Sequence, residues 1–162
     1  MKESNHISIL KEKYRLEAHP EGGWFSEVYT SQAISGERAL AGSIYFLLDG
    51  DDISHFHRID CDEIWYYHEG CGLKITIIQK GVISHHYLGK DMDSGQEAMV
   101  IIPKDSVFAA ENIDKKSYTF ISCATVPKFR YEGFELLSKE QVLAACPRLP
   151  KDMEYLILGP GR

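Results

Sequence analysis

Two histidines and a glutamate that lie close together in the sequence have the side chains best suited to chemistry. His55 and His57 are separated by Phe56, and Glu63 follows shortly afterwards. In an extended strand alternate side chains share a face, so the two imidazoles point the same way and Phe56 points the other way. Such a group has the donor atoms for a divalent metal. It equally has the acid and base groups for proton transfer on an organic substrate.

A structural role is the third interpretation of these residues, because histidines in a strand also complete hydrogen-bonded polar edges of barrels. The nearby carboxylates of Asp60 and Asp62, together with flanking aromatic residues, favour a functional site over that role. A metal centre, an acid–base group and a polar edge therefore all stay open at this point.

The pattern of the surrounding chain predicts an all-β fold with short flanking helices. Short runs rich in Val, Ile, Tyr and Phe begin after Gly22 and Gly23, and turn-forming residues separate them. The predicted strands lie near 23–30, 41–48, 53–57, 62–69, 71–79, 82–88, 97–102, 106–110, 117–126 and 133–137. About ten short strands at this spacing are typical of a sandwich or a barrel rather than of alternating strands and helices.

We expect a single domain over residues 1–162, because the chain contains no repeat, linker or low-complexity tract. The predicted parts are a short amphipathic helix at about 7–14, the barrel at about 22–137 and a C-terminal helix at about 139–145. Ser138 and Gln141 fit a capping box at the start of the second helix, and Pro147 ends that helix.

Composition and charge restrict the class of protein. The formal net charge is −6 and the basic residues are scattered, so we expect no nucleic-acid partner. The apolar stretches are too short for a membrane-spanning helix, and the polar N-terminal sequence lacks the apolar run of a signal peptide. The four cysteines form no CxxC pair and are expected to be reduced thiols. These features predict a cytoplasmic protein without a membrane partner.

The spacing around the histidines resembles the first cupin motif, G(X)5HXH(X)3,4E(X)6G. The matching residues are Gly50, His55, His57, Glu63 and Gly70. The interval between His57 and Glu63 is one residue longer than in the motif, and that between Gly50 and His55 is one shorter. The interval from Glu63 to Gly70 matches the motif, and it selects Glu63, Trp65 and Tyr67 as the inward face of their strand.

The second cupin motif is only partly present, between Pro103 and Asn112. Phe108 stands where that motif has its histidine ligand, and Asp105 stands where it has a glycine. A divalent metal would therefore have at most the three protein ligands of the first motif, namely His55, His57 and Glu63. An apolar Phe108 at this position suits a pocket that binds an organic molecule without a metal.

Blocks outside these motifs resemble the cupin-5 family of largely uncharacterised cupins. The blocks are His19–Tyr29, Gly42–Leu48, Phe56–Trp65 and Gly133–Leu136, in a match that runs from about residue 7 to 147. The resemblance implies a double-stranded β-helix, or jelly-roll barrel, and a homodimer. It implies no settled reaction.

The segment from Gly23 to Glu27, followed by His57 in a later strand, also resembles the dehydrorhamnose epimerases. That likeness implies a sugar-like or nucleotide-like ligand, with His57 abstracting a proton next to a carbonyl. It also implies that Trp24 and Glu27 line the pocket, from the same chain or from a partner subunit. Gly22 occupies the position of the arginine expected in those enzymes.

The candidate residues follow from these likenesses and from the strand faces. We take His57 and Glu63 as the catalytic acid and base, and the candidate ligand-binding residues are Glu21, Trp24, Glu27, Tyr45, His55, Arg58, Trp65 and Phe108. Arg58 either clamps an anionic substrate or forms a salt bridge with Asp60 or Asp62. His19 and Glu21 lie either at the pocket mouth or in a rigid turn.

Three functions stay open on this basis. They are an isomerase or epimerase that transfers protons on a small polar molecule, a non-catalytic protein that binds such a ligand, and a metal-dependent cupin enzyme. Each of them takes a small-molecule ligand in the barrel pocket.

Overall fold

Antiparallel strands dominate the computed structural model, which describes residues 2–159. The strands are β1 (Glu17–Ala18), β2 (Trp24–Thr30), β3 (Ile34–Ser35), β4 (Arg38–Ala39), β5 (Gly42–Asp49), β6 (Ile53–Ile59), β7 (Asp62–Gly70), β8 (Leu73–Gln79), β9 (Val82–Leu88), β10 (Met99–Ile102), β11 (Val107–Asn112), β12 (Tyr118–Val126) and β13 (Phe134–Leu136). One sheet has the order β1-β2-β5-β12-β7-β10 and the other the order β13-β6-β11-β8-β9, while β3 and β4 form a separate hairpin. The ten predicted strands are therefore present, with ends shifted by up to two residues.

The main core lies between the inner faces of the two large sheets. Phe46 and Trp65 from the first sheet pack with Ile75 and Phe108 from the second, and all four are almost completely buried. The alternation of side chains along β7 explains this arrangement, because Glu63 and Trp65 are buried whereas Asp62 and Tyr66 on the opposite face are exposed. The predicted inward face of this strand is correct for these two residues.

Two short helices cover the outer faces of the sheets. The first, α1 (Lys2–Lys13), begins earlier than the predicted 7–14 and packs Ile7 and Leu10 against the outer face of the first sheet. The second, α2 (Lys139–Ala145), has the predicted bounds, and its capping box between Ser138 and Gln141 has both hydrogen bonds. Within residues 2–159 neither helix is long and apolar enough to cross a membrane.

Candidate functional site

A cavity opens between the inner faces of the two sheets, near the start of β2 and the end of β12. The space between its walls is about 630 Å³ when the open solvent at the mouth is included, and about 70 Å³ of it is accessible to the centre of a water-sized sphere. His57, Glu63, Glu21 and Cys123 lie in its wall, together with aromatic side chains that include Phe25. Titratable groups and apolar rings therefore face the same space, as is typical of small-molecule sites.

The central contact of the cavity is an ion pair between His57 and Glu21. Nε2 of His57 lies 2.6 Å from Oε2 of Glu21. The two side chains are only 3% and 8% exposed, so little water competes for this contact. β6 provides His57, whereas Glu21 comes from the turn that precedes β2.

The hydrogen bonds of His57 fix where its protons lie. Its Nδ1 is 2.6 Å from the backbone carbonyl oxygen of His55. A carbonyl oxygen can only accept a hydrogen bond, so Nδ1 carries a proton. The contact between Nε2 and the Glu21 carboxyl also needs a proton, which the two groups share. Both nitrogens of His57 are thereby engaged. The other oxygen of Glu21, Oε1, lies 3.6 Å from Nδ1 of His19, and the Ser54 hydroxyl also helps to lower the pKa of the Glu21 carboxyl.

Burial and charge shift the pKa values of this pair in opposite directions. Burial, the largest single effect, lowers the pKa of His57, but the Glu21 carboxylate, the bond to the His55 carbonyl and the charge of Glu63 together outweigh it, and the net shift is upward. Burial alone raises the pKa of Glu21, but the positive charge of His57 outweighs it and the net shift is downward. Each partner therefore holds the other in its charged form.

A second histidine, His19, lies beside Glu21, and its protonation state differs from that of His57. The backbone N–H of Glu21 donates to Nδ1 of His19 at 3.2 Å, so this nitrogen is unprotonated. Burial also lowers the pKa of His19. Although Nδ1 lies 3.6 Å from Oε1 of Glu21, a neutral imidazole leaves that oxygen without a cationic partner.

Glu63 is the second buried carboxyl of the cavity, and its pKa is shifted in the opposite direction to that of Glu21. Burial and the nearby charge of Glu21 raise the pKa of Glu63 to about 7. His57, the Trp65 indole and the Cys123 thiol only partly oppose these effects. Glu63 therefore changes charge near neutral pH, whereas Glu21 stays ionised there.

A glycine next to Glu21 allows the turn to lie against β6. Gly22 has a φ of +109°, and a Cβ at this position would lie 1.9 Å from the carbonyl oxygen of Ile53. The adjacent carbonyl oxygen of Glu21 accepts hydrogen bonds from the backbone N–H of His55 at 2.9 Å and from its Nδ1 at 2.7 Å. The close backbone approach that only glycine permits therefore positions Glu21 beside the histidines.

Two predicted ligand-binding residues, Trp24 and Tyr45, lie on the wrong face of the first sheet. Trp24 pairs with Leu47 in the ladder, and both pack under α1, with the Lys11 ammonium 3.9 Å above the indole ring. Tyr45 packs against Phe120 and Tyr14 on the same outer face. These predictions are wrong for the cavity of the chain itself, because strand alternation turns their neighbours inward instead.

Arg58 also lies outside the cavity, on the outer face of the second sheet. Its guanidinium pairs with Glu135 at 2.5 Å rather than with Asp60 or Asp62, so the predicted salt bridge is wrong. Its binding of an anionic ligand stays a prediction, but not in this cavity. His55 is buried, and its Nδ1 is bonded to the Glu21 carbonyl rather than directed at a ligand. The role of His55 in this structure is to hold the turn.

The remaining predicted residues lie in or directly behind the cavity. Glu21, His57 and Glu63 line it at depth, and Glu27 lines it at the exposed mouth. Phe108 packs against His57 with ring centroids 4.0 Å apart, and Trp65 lies behind Glu63 in the core. Both rings support the titratable groups from behind.

The cavity wall contains aromatic residues that the sequence analysis did not identify. Phe129, Tyr131 and Phe134 come from the segment after β12 and line the mouth. The predicted strand at 133–137 contains Phe134, but the sequence did not show that its side chain faces the cavity. Phe129 and Tyr131 precede β13, in a segment without strand or helix periodicity. Arg38 holds this segment: its Nε donates to the carbonyl oxygen of Lys128 at 2.8 Å, and its two terminal nitrogens bond to Asp60 at 2.8 and 3.1 Å.

The donor set does not fit a metal ion at His55, His57 and Glu63. Nε2 of His57, the nitrogen that would bind a metal, contacts Glu21 at 2.6 Å. The bonds from Nδ1 of His55 and of His57 to carbonyl oxygens do not oppose metal binding, because metal-bound histidines commonly make them. Phe108 occupies the position of a fourth ligand and packs against the His57 ring. Within residues 2–159 no group of three or more His, Cys, Asp or Glu side chains is arranged to hold a metal. In this arrangement the side chains of His55, His57 and Glu63 are not placed to hold a metal together, and the metal triad stays a prediction.

Comparisons with known proteins find similarity to one protein family and to solved structures. The sequence model of Cupin_5, described as Cupin superfamily (DUF985), matches residues 9–137. The crystal structure of protein SO0799 from Shewanella oneidensis is 34% identical, covers 94% of this chain and 97% of its own, and has a TM-score of 0.88. A hypothetical protein from Leishmania major is 27% identical over 93% of this chain and 95% of its own, with a TM-score of 0.82.

A more distant likeness is the oxalate decarboxylase of Bacillus subtilis, a protein described as having Mn(II) centres. It is 16% identical over 89% of this chain and 38% of its own, with a TM-score of 0.57, and shows the fold alone. A comparison with curated proteins finds no match. The structural similarities confirm the predicted jelly-roll barrel.

Proposed function

The chain belongs to the Cupin_5 family of the cupin superfamily, and on that premise we propose that it binds a small polar, sugar-like molecule in its barrel cavity and transfers a proton on it. The contact between Nε2 of His57 and Oε2 of Glu21, at 2.6 Å in the cavity wall, carries the proposal. A buried acid–base pair that faces an open cavity is the arrangement that proton transfer requires.

The base in this proposal is Oε1 of Glu21, the carboxylate oxygen other than the one that contacts His57. Oε1 accepts a proton from a carbon next to a ligand carbonyl, and the electron pair of that C–H bond moves into the carbonyl group to form an enolate. Delivery of a proton from water to the opposite face of the same carbon completes an epimerisation. In a ligand with a hydroxyl group on that carbon, transfer of the hydroxyl proton to the former carbonyl oxygen and return of the Oε1 proton to the former carbonyl carbon complete an isomerisation. No metal or redox partner enters these steps.

His57 acts through Glu21 rather than on the ligand, because both of its ring nitrogens are engaged. It orients the carboxylate and keeps it ionised, so it is a positioning residue in this scheme. Glu63 faces the same cavity and changes charge near neutral pH. It is the second group that can exchange a proton or compensate a charge on the ligand.

The test is solvent-deuterium exchange into ligands found by thermal-shift screening of aldoses, ketoses and their amino derivatives. NMR in D2O should show loss of the proton next to the carbonyl, and Glu21→Gln should slow that loss by roughly 100-fold or more. Glu97→Gln, an exposed carboxyl far from the cavity wall, is the matched control and should leave the rate unchanged.

Binding without catalysis is the second candidate function, and the aromatic wall favours it. Phe25, Phe129 and Phe134 offer apolar faces that suit stacking on a ring, whether or not a proton moves. A tight ligand that exchanges no proton over days would favour this candidate and contradict the first.

A further inference from the structure

We infer that the ligand of this cavity carries a cationic amino group, which the Glu63 carboxylate and the aromatic wall bind together. The inference rests on the proposed function only in taking this cavity as the ligand site. It names the substrate class: a small polar molecule with a protonated amine, rather than a phosphorylated or otherwise anionic one.

The pairing of charges in the cavity leaves one carboxyl without a cation. Three glutamates line the cavity, namely Glu21, Glu27 and Glu63. His57 pairs with Glu21, and Lys128 pairs with Glu27 at the mouth. Among the residues whose side chains are described, no lysine, arginine or histidine forms an ion pair with Glu63.

A buried carboxyl without an ion-pair partner favours a ligand that carries a positive charge. Glu63 is 8% exposed, and the groups that face it are the carboxylate of Glu21, the imidazole of His57, the thiol of Cys123 and the indole of Trp65. Burying an ionised carboxylate without an ion-pair partner has a free-energy cost, which the group otherwise avoids by binding a proton. A cationic ligand group removes that cost, whereas an anionic group adds repulsion from two carboxylates.

The aromatic wall provides the second component of cation recognition. The rings of Phe129, Tyr131 and Phe134 stand at 62° to 86° to one another, with centroids 5.2 to 6.2 Å apart. Rings at such angles present both edges and faces to the mouth, and ring faces attract ammonium groups within about 6 Å. The pKa of Tyr131 is raised by burial and by nearby glutamates including Glu21 and Glu27. This shift indicates a negative electrostatic potential at the mouth.

A bound amine also assigns separate roles to the two buried carboxyls. It holds Glu63 in its ionised form, so that Glu63 binds the ligand. Proton transfer then belongs to Glu21, supported by His57. An amino sugar with a carbonyl group has both features that this division of roles requires.

Matched ligands that differ only in charge test the inference directly. Isothermal titration calorimetry compares glucosamine, glucose and glucuronate, and separately compares choline with its uncharged analogue 3,3-dimethyl-1-butanol. We expect each cation to bind at least tenfold more tightly than its neutral counterpart, with glucuronate the weakest. Equal or tighter binding of the neutral or anionic member, or no binding of either cation at millimolar concentration, would overturn the inference.

Variants of the cavity give the second arm of the experiment. Glu63→Gln keeps the size of the side chain and should abolish the preference for the cation over its neutral analogue. Tyr131→Leu removes a ring at the exposed mouth, where folding depends on it least, and should weaken choline binding at least threefold. Glu97→Gln is the control for both. A charge preference that survives both substitutions counts against the inference.

The inference and the proposed function fail in different measurements. Proton exchange on a neutral carbonyl compound with no preference for amines would overturn the inference and leave the proposed function standing. Charge-selective binding of amines with no proton exchange would support the inference and contradict catalysis.

Discussion

Glu21 and Glu63 face the same cavity, yet their environments move their pKa values in opposite directions. The partner His57 lowers the pKa of Glu21, while burial and the charge of Glu21 raise that of Glu63 to about 7. Two carboxyls separated in this way can hold different protonation states at one pH, which is a recurring basis of acid–base catalysis.

The first prediction concerns the stability of Glu63→Gln as a function of pH. The folded pKa of Glu63, about 7, is above the ordinary glutamate value of 4.5, so the folded state binds more protons between these values and loses stability as the pH rises through them. Glutamine does not titrate. The variant should therefore gain about 3 kcal/mol relative to the wild type between pH 4.5 and pH 7 or slightly above. Urea unfolding of both proteins across this range measures the difference, and a constant difference would contradict the prediction.

The second prediction concerns the charge of His57. The Glu21 carboxylate is the cause that raises its pKa against the effect of burial. Glu21→Gln should therefore lower the pKa of His57, and the stability that its protonation contributes below about pH 6.5 should disappear. NMR titration of the imidazole nitrogens measures this shift. An unchanged His57 titration in the variant would show that the pair is not coupled.

The third prediction concerns the close approach at Gly22. A Cβ there would overlap the carbonyl oxygen of Ile53, and the φ of +109° is unfavourable for other residues. Gly22→Ala should destabilise the fold by roughly 3 kcal/mol or more, because strain and steric overlap act together. Gly36→Ala is the matched control, since Gly36 also has a positive φ of +62° but no atom within 4 Å of its Cβ position. It should cost only about 1 kcal/mol, and equal losses would count against the packing argument.

The fourth prediction concerns the segment that supplies the aromatic wall. Arg38 holds this segment through Asp60 and the carbonyl oxygen of Lys128. Arg38→Lys loses the paired hydrogen bonds of the guanidinium and should cost about 1 kcal/mol. Hydrogen exchange should become faster in residues 128–133. Arg58→Lys, which alters a pair on the outer face, is the control and should leave that segment unchanged.

The fifth prediction concerns the homodimer that family resemblance implies. Tyr66, Met99 and Ile101 lie on the outer face of adjacent strands and are 38%, 42% and 54% exposed. We propose this face as the contact between two copies. Light scattering should give twice the 18.4 kDa mass of one chain, and Ile101→Lys should shift the protein towards the monomer. A monomer mass for the wild type would contradict the prediction.

The strand pattern predicted most of the fold, because alternation and turn residues are local signals. It also identified Glu63 and His57 as cavity residues. It could not identify the partner of His57: Glu21 reaches it through a turn whose geometry depends on Gly22 and the distant Ile53. Contacts of this kind have no fixed spacing in the sequence.

The errors at Trp24 and Tyr45 have the same physical origin. Their residue types suited a pocket, but the ladder pairs Phe25 with Phe46 on the inner face and thereby turns both of these neighbours towards α1. A shift of one residue in a strand exchanges the two faces. The likeness of residues 23–27 to the dehydrorhamnose epimerases suggested a role for Trp24, but it did not determine which face of β2 this residue occupies.

The proton shared by His57 and Glu21 makes the pair electrically neutral wherever that proton lies. Ionic strength screens separated charges in contact with solvent, but it has little effect on a buried neutral unit. Added salt should therefore weaken the Glu27 and Lys128 pair at the mouth while leaving the deeper pair unaltered. The charges at the mouth then respond to the salt content of the surroundings, whereas the charge state of the pair at the base is insulated from it.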